Sequence, residues 1–553
     1  MTGTLKRWSA PALIVAVNWF ANFLHFTRMG LYEDDWYFVG FPFSVSVKQW
    51  MVDCFWNSLS NPAGSVGRPI QFVISTPLAQ LGALTGSLSG DYLLAFANSA
   101  VASLMMLYLL RQRFSLAVST LATVLFVISP LHTLHQFVIY QFAPATTFTM
   151  VFLAILLYIR GRRVWPYFLA ALSLMSYESI FCLFLAAPLM RRGRMFQRRR
   201  REWLVHLSLC ATMVALFFWF RAATAEARIG SLPPLREMIG LVTRSWAVHL
   251  AGSFSPYYYG ALRAWHDGTR EGWIFAILFG LLVAVFCWQM GNSRRRAVTA
   301  SILRPAFVGL AFLALGYLLS YFIIPYGEPR FEFTDRPSRT SLAASFGSSV
   351  LVAVLLSALI RRALVAGVAG AGVCFLFLYA FVLQGDYLRD WAMQAATVRQ
   401  FMALTPDVAE DSILVLRFPS VDPGLAGQPA IGADQDGFDE VIKHLHDRAQ
   451  KLPTLFIVVS DDWPKYLRKT ADGYFEWTAP SFPGRWYPSS GRYRAGRFIV
   501  LDEQQRGHMT RKNEPVLVEG VDVVQHVPEQ APAANVWATL RRTPLFEKLL
   551  GTR

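Results

Sequence analysis

Three consecutive carboxylates, Glu33, Asp34 and Asp35, stand in the stretch LYEDDWYF (31–38), about one turn past the end of a long apolar run. Carboxylates so placed can accept a proton, hold a cation or form a solvated acidic cap. Their flanks are aromatic (Tyr32, Trp36, Tyr37, Phe38), a setting that holds residues at a membrane–water interface. Arginine supplies the complementary chemistry, a planar fork of donors matched to anions. The candidates are Arg68 in GRP (67–69) and Arg330, Arg336 and Arg339 in PYGEPRFEFTDRPSRTS (325–341). For each, ordinary contact with lipid headgroups is the competing reading. His132 and His135 either line a site or are interfacial polar residues. Glu178, in SYES (176–179), is an acid inside an apolar run, where ionisable residues point to function by default. Its role is either to bind a substrate or to pair with an arginine.

The elements that must position these residues are apolar helices. The chain has 553 residues, 54% hydrophobic and only 16% charged, whereas soluble proteins carry nearer a quarter charged. Uncharged runs of about twenty residues recur, each long enough for a hydrocarbon core of roughly 30 Å. Examples are 204–220, 272–290, 305–325 and 363–384. The expected fold is therefore a polytopic α-helical membrane protein. Residues 1–384 hold 32 Lys/Arg and 14 Asp/Glu, and residues 385–553 hold 20 and 22. The net charges are +18 and −2, which together make the overall +16. The basic balance thus belongs to the membrane part, where arginines fix topology, and gives no reason to expect nucleic acid. The five cysteines contain no CxxC and suggest neither a metal site nor a disulfide framework. Lys6 and Arg7 precede an apolar stretch with no small-residue cleavage pattern, which reads as a retained first helix.

Basic clusters in short loops set the orientation. With Lys6 and Arg7 inside, a first span (about 9–27) leaves the acidic stretch outside. Spans at about 92–110, 115–131 and 142–159 then alternate between RQR (111–113), the loop containing His132 and His135, and RGRR (160–163). The stretch 164–190 has basic flanks on both sides, so it is expected to form a hairpin turning at SYES, with Glu178 near the outer face. At about 1.5 Å per residue such a hairpin is tight. A single tilted helix is the competing reading. Five further spans complete a count of eleven, with the N-terminus inside and the tail outside. Of the 14 acids of the membrane part, only Glu202 then falls in a clearly cytoplasmic loop.

Two domains are expected, a transmembrane domain 1–384 and an extracytoplasmic soluble domain 385–553. Runs of strand length at 413–416, 455–459 and 497–502, with helical stretches such as 436–451 between some of them, make the tail a small α/β domain. Two amphipathic, tryptophan-containing or apolar segments, 44–59 and 67–81, are expected to lie on the membrane surface after the first span. A second DDW at 461–463 reads as a polar loop at a strand end. No GxxxxGK[ST], no GxGxxG and no internal repeat occurs.

An acidic pair directly outside the first helix, followed by interfacial helices, resembles the GT-C superfamily of integral membrane glycosyltransferases. The arrangement Asp34-Asp35-Trp36 with Gly67-Arg68-Pro69 is similar to bacterial polyprenyl-phosphate-sugar-dependent enzymes of the O-antigen glucosyltransferase type. The resemblance covers the membrane part by architecture and a few residues by motif, and does not reach the tail. It implies an enzyme of the bacterial cytoplasmic (inner) membrane, with a sugar on a polyprenyl phosphate as donor and a glycan or lipid-linked hydroxyl as acceptor. It also implies inverting transfer, with Asp34 or Asp35 as general base and a slight preference for Asp34. Arg336 and Arg339, with Arg68, would take the charge of the leaving phosphate. Glu33, Trp36, Glu178, His132 and His135 would line the site. No cofactor is demanded, although a divalent cation is compatible with the carboxylates. Membrane lipid is the other expected partner. The rival functions are a transporter or a lipid or polysaccharide flippase, and an assembly protein working through its tail. A transporter needs ionisable groups near the bilayer midplane, and Glu178 is the single candidate.

Overall fold

In the computed structural model, the described residues are 3–32, 35–40, 48, 52, 68–191, 200–224, 234–290, 298–319, 331, 336–359 and 362–404, with Thr470 and strand segments between 412 and 524. Glu33, Asp34, Arg330, Cys54, most of 44–59, the second DDW and the stretch 436–451 lie outside the described residues. For Arg336 only the backbone is described.

Thirteen helices of ten or more residues follow one another among the described residues. They are α1 (Gly3–Asn18), α2 (Pro69–Ala83), α3 (Leu88–Leu110), α4 (Leu116–Val127), α5 (Val138–Ile159) and α6 (Trp165–Leu174). Then come α7 (Arg200–Ala223), α8 (Leu235–Gly252), α9 (Ser255–Asp267), α10 (Arg270–Met290), α11 (Val298–Gly316), α12 (Leu342–Leu359) and α13 (Arg362–Leu404). Six helical segments among the described residues are long and apolar enough to cross a membrane: Leu88–Leu110, Val138–Ile159, Arg200–Ala223, Arg270–Gln289, Ser338–Ser357 and Leu364–Leu404. The chain is a helical protein with the makings of a membrane protein. The last helix runs to Leu404, well past the expected end near 384. The stretch 222–271 holds α8 and α9.

By compactness the chain divides into two units. One comprises Met1–Thr27, Lys48–Leu78 and Asp91–Gly385; the other comprises Arg28–Val47, Ala79–Gly90 and Asp386–Arg553. The acidic stretch therefore groups with the chain after Gly385.

In the first unit, glycine lets helices approach to backbone contact. A Cβ on Gly347 of α12 would meet the Leu313 nitrogen of α11 at 2.0 Å, and one on Gly316 would meet the Ala344 backbone at 2.5 Å. Small residues at such crossings are how helices gain packing where no hydrophobic drive separates lipid from leucine. At the end of α1 the helix widens into a π turn, Trp19–Phe23. The carbonyls of Phe20 and Ala21 there accept from the Gln384 side-chain amide at 3.1 and 2.5 Å.

The stretch 164–190 does turn back on itself. α6 leads to Glu178–Phe181, a single helical turn, and then to a 3₁₀ helix, Cys182–Met190. Arg191, at its end, donates to the Tyr158 carbonyl at 2.8 Å, beside the point where the stretch began. The 3₁₀ geometry rises about 2.0 Å per residue against about 1.5 Å for an α-helix. Nine residues of 3₁₀ helix reach further than nine residues of α-helix, which relieves the tightness. The basic runs gather at this end: Arg113 donates to the Arg191 carbonyl at 2.9 Å, Arg191 meets Glu202 at 3.2 Å, and Arg160 donates to the Tyr108 hydroxyl at 2.5 Å.

In the tail, β1 (Ser412–Arg417) pairs in parallel with β2 (Thr454–Val458) and with β6 (Arg497–Gln505), and β7 (His508–Lys512) closes against β6 in antiparallel fashion. The order is β2-β1-β6-β7. The three apolar runs read from sequence fall on β1, β2 and β6, which are neighbours. Strands β3 (Leu467–Lys469), β4 (Tyr474–Trp477) and β5 (Gly491–Arg494) form an antiparallel sheet, and β8 (Val516–Val518) pairs with β9 (Val521–Val524).

Candidate functional site

In the second unit, Asp35 is fully buried, and its backbone N–H donates to the Tyr32 carbonyl at 2.9 Å. For Asp35 the solvated-cap reading therefore fails. Residues Trp36–Gly40 continue as a π turn, a form found often at functional sites. The segment is held by one stripe of α13, made of Tyr387, Asp390, Trp391 and Gln394, at spacings that share a helix face. The Tyr32 hydroxyl donates to the Tyr387 carbonyl at 2.9 Å, and the two rings meet edge to face at 4.9 Å. Trp36 Nε1 donates to Gln394 Oε1 at 3.4 Å, and Gln394 Nε2 donates to Asp390 Oδ2 at 2.8 Å. Gly30 lies flush against the Trp391 indole, since a Cβ there would meet the ring at 1.8 Å. Burial, and then the charges of Asp390 and Asp35, hold the Tyr32 phenol well above its ordinary pKa, although the hydrogen bond at Gly30 opposes them.

In the first unit, Arg68, Glu178 and Arg221 form a buried ion cluster. Arg68 Nε and Nη2 each donate to one oxygen of Glu178 at 2.8 Å, a bidentate pair. Arg221 Nη1 approaches the same carboxylate at 3.5 Å. The Arg68 guanidinium also lies over the Tyr177 ring at 4.7 Å. Burial alone would lower the Arg68 pKa; the Glu178 carboxylate more than reverses this and raises it. The cluster ties the start of α2, the hairpin turn and the end of α7 together, at the end of α7 away from Glu202. Arg68, expected on the phosphate, is thus engaged by Glu178, and the arginine pairing expected as one option for Glu178 is present. Breaking a buried pair by removing one partner costs about 3–5 kcal/mol.

A second polar group in this unit joins the loop after α4 to the start of α12. The Thr133 N–H donates to Ser338 Oγ at 3.4 Å. Ser338 belongs to a 3₁₀ turn, Arg336–Ser341, that runs directly into α12. Arg339 is only 8% exposed, and its Nε has no hydrogen-bond partner among the described residues. The same holds for His132 Nδ1, for both ring nitrogens of His135 and for both amide atoms of Gln136. The two imidazoles stand 4.6 Å apart. Burial, and then the neighbouring His135, lowers the His132 pKa, while burial pushes His135 down to about 4. Both rings are neutral near pH 7, so each offers one N–H donor and one acceptor. Buried polar atoms are nearly always paired. Arg339, His132, His135 and Gln136 thus hold buried polar side-chain atoms without hydrogen-bond partners among the described residues, on two turns joined through Thr133 and Ser338.

No group of three or more metal-ligating side chains occurs among the described residues. Comparison with family models, curated proteins and solved structures finds no match for the chain. Arg221, Gln136 and the α13 stripe were not singled out from sequence. The stripe had a signal, aromatic and polar residues at 387, 390, 391 and 394, but a tail read as starting at 385 obscured it.

Proposed function

We propose that the chain is an inverting membrane glycosyltransferase of the GT-C kind, using a polyprenyl-phosphate-linked sugar and a glycan or other hydroxyl acceptor. The observation that carries this reading is Arg339, a buried guanidinium with an open Nε at the head of α12, beside His132, His135 and Gln136 with their open nitrogens. A phosphate monoester leaves without a general acid, provided donors and dipoles take its developing charge. The Arg339 guanidinium is suited to that. A carboxylate must remove the acceptor proton as the hydroxyl attacks the anomeric carbon. Asp35 is enclosed, which favours Asp34 as the base and gives Asp35 the task of shaping the loop. In this reading the fold has eleven spans with the N-terminus inside, the tail is an extracytoplasmic α/β domain, and the membrane is the bacterial inner membrane. The hairpin at 164–190 supports that count. The acid that a transporter would use, Glu178, is clamped by two arginines, which supports the enzyme over the transporter.

The test is transfer from a polyprenyl-linked sugar in membranes. Asp34→Asn or Asp35→Asn is expected to abolish it, and Arg339→Ala to weaken use of the donor more than of the acceptor. Full activity in both Asn variants would remove the catalytic assignment. Exchange of lipid or solute by the wild type without sugar transfer would remove the class.

A further inference from the structure

The α13 stripe touches the acidic segment at Gly30, Tyr32 and Trp36. Tyr387 receives the Tyr32 hydroxyl, Trp391 fills the space a Gly30 side chain would need, and Gln394 bridges Trp36 to Asp390. The bridge is directional. Gln394 accepts from an indole N–H on one side and donates to a carboxylate on the other, so its amide is oriented by both neighbours. The indole donates only, and an ionised carboxylate accepts only. No other uncharged side chain of that length satisfies both. Trp36 follows Asp35 directly and is itself buried. Fixing the indole therefore fixes the turn on which Asp35 stands. A purely structural contact would not require this polarity; leucine or methionine would fill the volume.

We propose that Gln394, oriented by Asp390, is a positioning residue that sets the turn carrying Asp35 and Trp36 through the Trp36 indole. Gln394 touches no reacting atom and acts through that turn alone. This rests on the glycosyltransferase reading for its catalytic consequence, though not for its geometry. Displacing a catalytic group by about 1 Å costs on the order of 100-fold in rate. Loss of the bridge should therefore fall on kcat, with the KM of donor and acceptor little changed.

The experiment uses the full-length protein in membranes or nanodiscs, labelled with 5-fluorotryptophan. The chain holds 17 tryptophans, so Trp36→Phe identifies the Trp36 fluorine resonance. Gln394→Met keeps the volume and loses both hydrogen bonds. It is expected to shift the Trp36 resonance and to lower kcat on the order of 100-fold at nearly constant KM. Gln394→Glu alone sets two carboxylates against each other and should be impaired as well. Adding Asp390→Asn to Gln394→Glu restores the bridge with donor and acceptor exchanged, and should recover both the resonance and kcat. An unmoved resonance in Gln394→Met, a moved resonance with unchanged kcat, or no recovery in the double variant would each overturn the proposal. A wild type that transfers no sugar while the resonance responds as described overturns the glycosyltransferase reading instead, and with it the catalytic part of this one.

Discussion

His135 carries a consequence for acidity. Its native pKa is pushed down to about 4 by burial, while in an unfolded chain it returns to about 6.5. Between those values the unfolded state binds the extra proton, so stability is complete above about pH 6.5 and falls as the pH drops toward 4. His135→Asn removes this titration. The variant is expected to lose less thermal stability than the wild type between pH 7 and 4.5, measured by fluorescence-monitored unfolding in detergent. Equal losses would mean that the ring is not shielded as described. At this scale the sequence was readable where chemistry is rare: an acid in an apolar run, or arginines before a helix. Arg221 was not readable, because an arginine at a helix end is common and only the Glu178 carboxylate gives it a meaning.

Elements were legible from their charge gaps. The uncharged run 272–290 became α10 almost residue for residue, and the two basic flanks of 164–190 implied a return that the chain makes. What the runs could not convey is helix type. Apolarity is the same for α, 3₁₀ and π forms, and the choice depends on which carbonyls find partners, as Gln384 provides at Phe20 and Ala21. Crossing distances were equally hidden. Gly347 is one glycine among 37, and only the neighbouring Leu313 backbone makes it irreplaceable. Gly347→Ala should separate α11 from α12 and lower stability by about 1–3 kcal/mol, the usual cost of overpacking. A drop in the detergent unfolding midpoint, at unchanged expression of Gly240→Ala, would report it. Gly240 has open space around it and serves as the control.

At the level of the whole molecule, polarity is the matter to be measured. Arg113, Arg160 and Arg191 gather at one end of the first unit, and Arg68, Glu178 and Arg221 meet where the hairpin turns. If the basic end is cytoplasmic, a cysteine replacing exposed Arg162 should react with an impermeant thiol reagent only after permeabilisation. One replacing exposed His266 should react in intact cells, both in a background with Cys54→Ser. The reverse pattern would invert the proposed orientation. The domain division was the least legible feature at this scale, because compactness joins 28–47 and 79–90 to the chain after Gly385, and no composition break marks such a grouping. The 3₁₀ arm of the hairpin bears on how this chain tolerates change in length. With three residues per turn its side chains stand in three straight ridges. Two of them, Leu183-Ala186-Leu189 and Phe184-Ala187-Met190, are buried, and the third exposes Leu185 and Pro188 in part. One residue inserted or removed at Cys182 would rotate the arm by a third of a turn and carry a buried ridge into the place of the open one. The arm therefore accepts changes in threes, like a key with three cuts, and a single-residue insertion there is the smallest lesion that misregisters a whole side of the bundle.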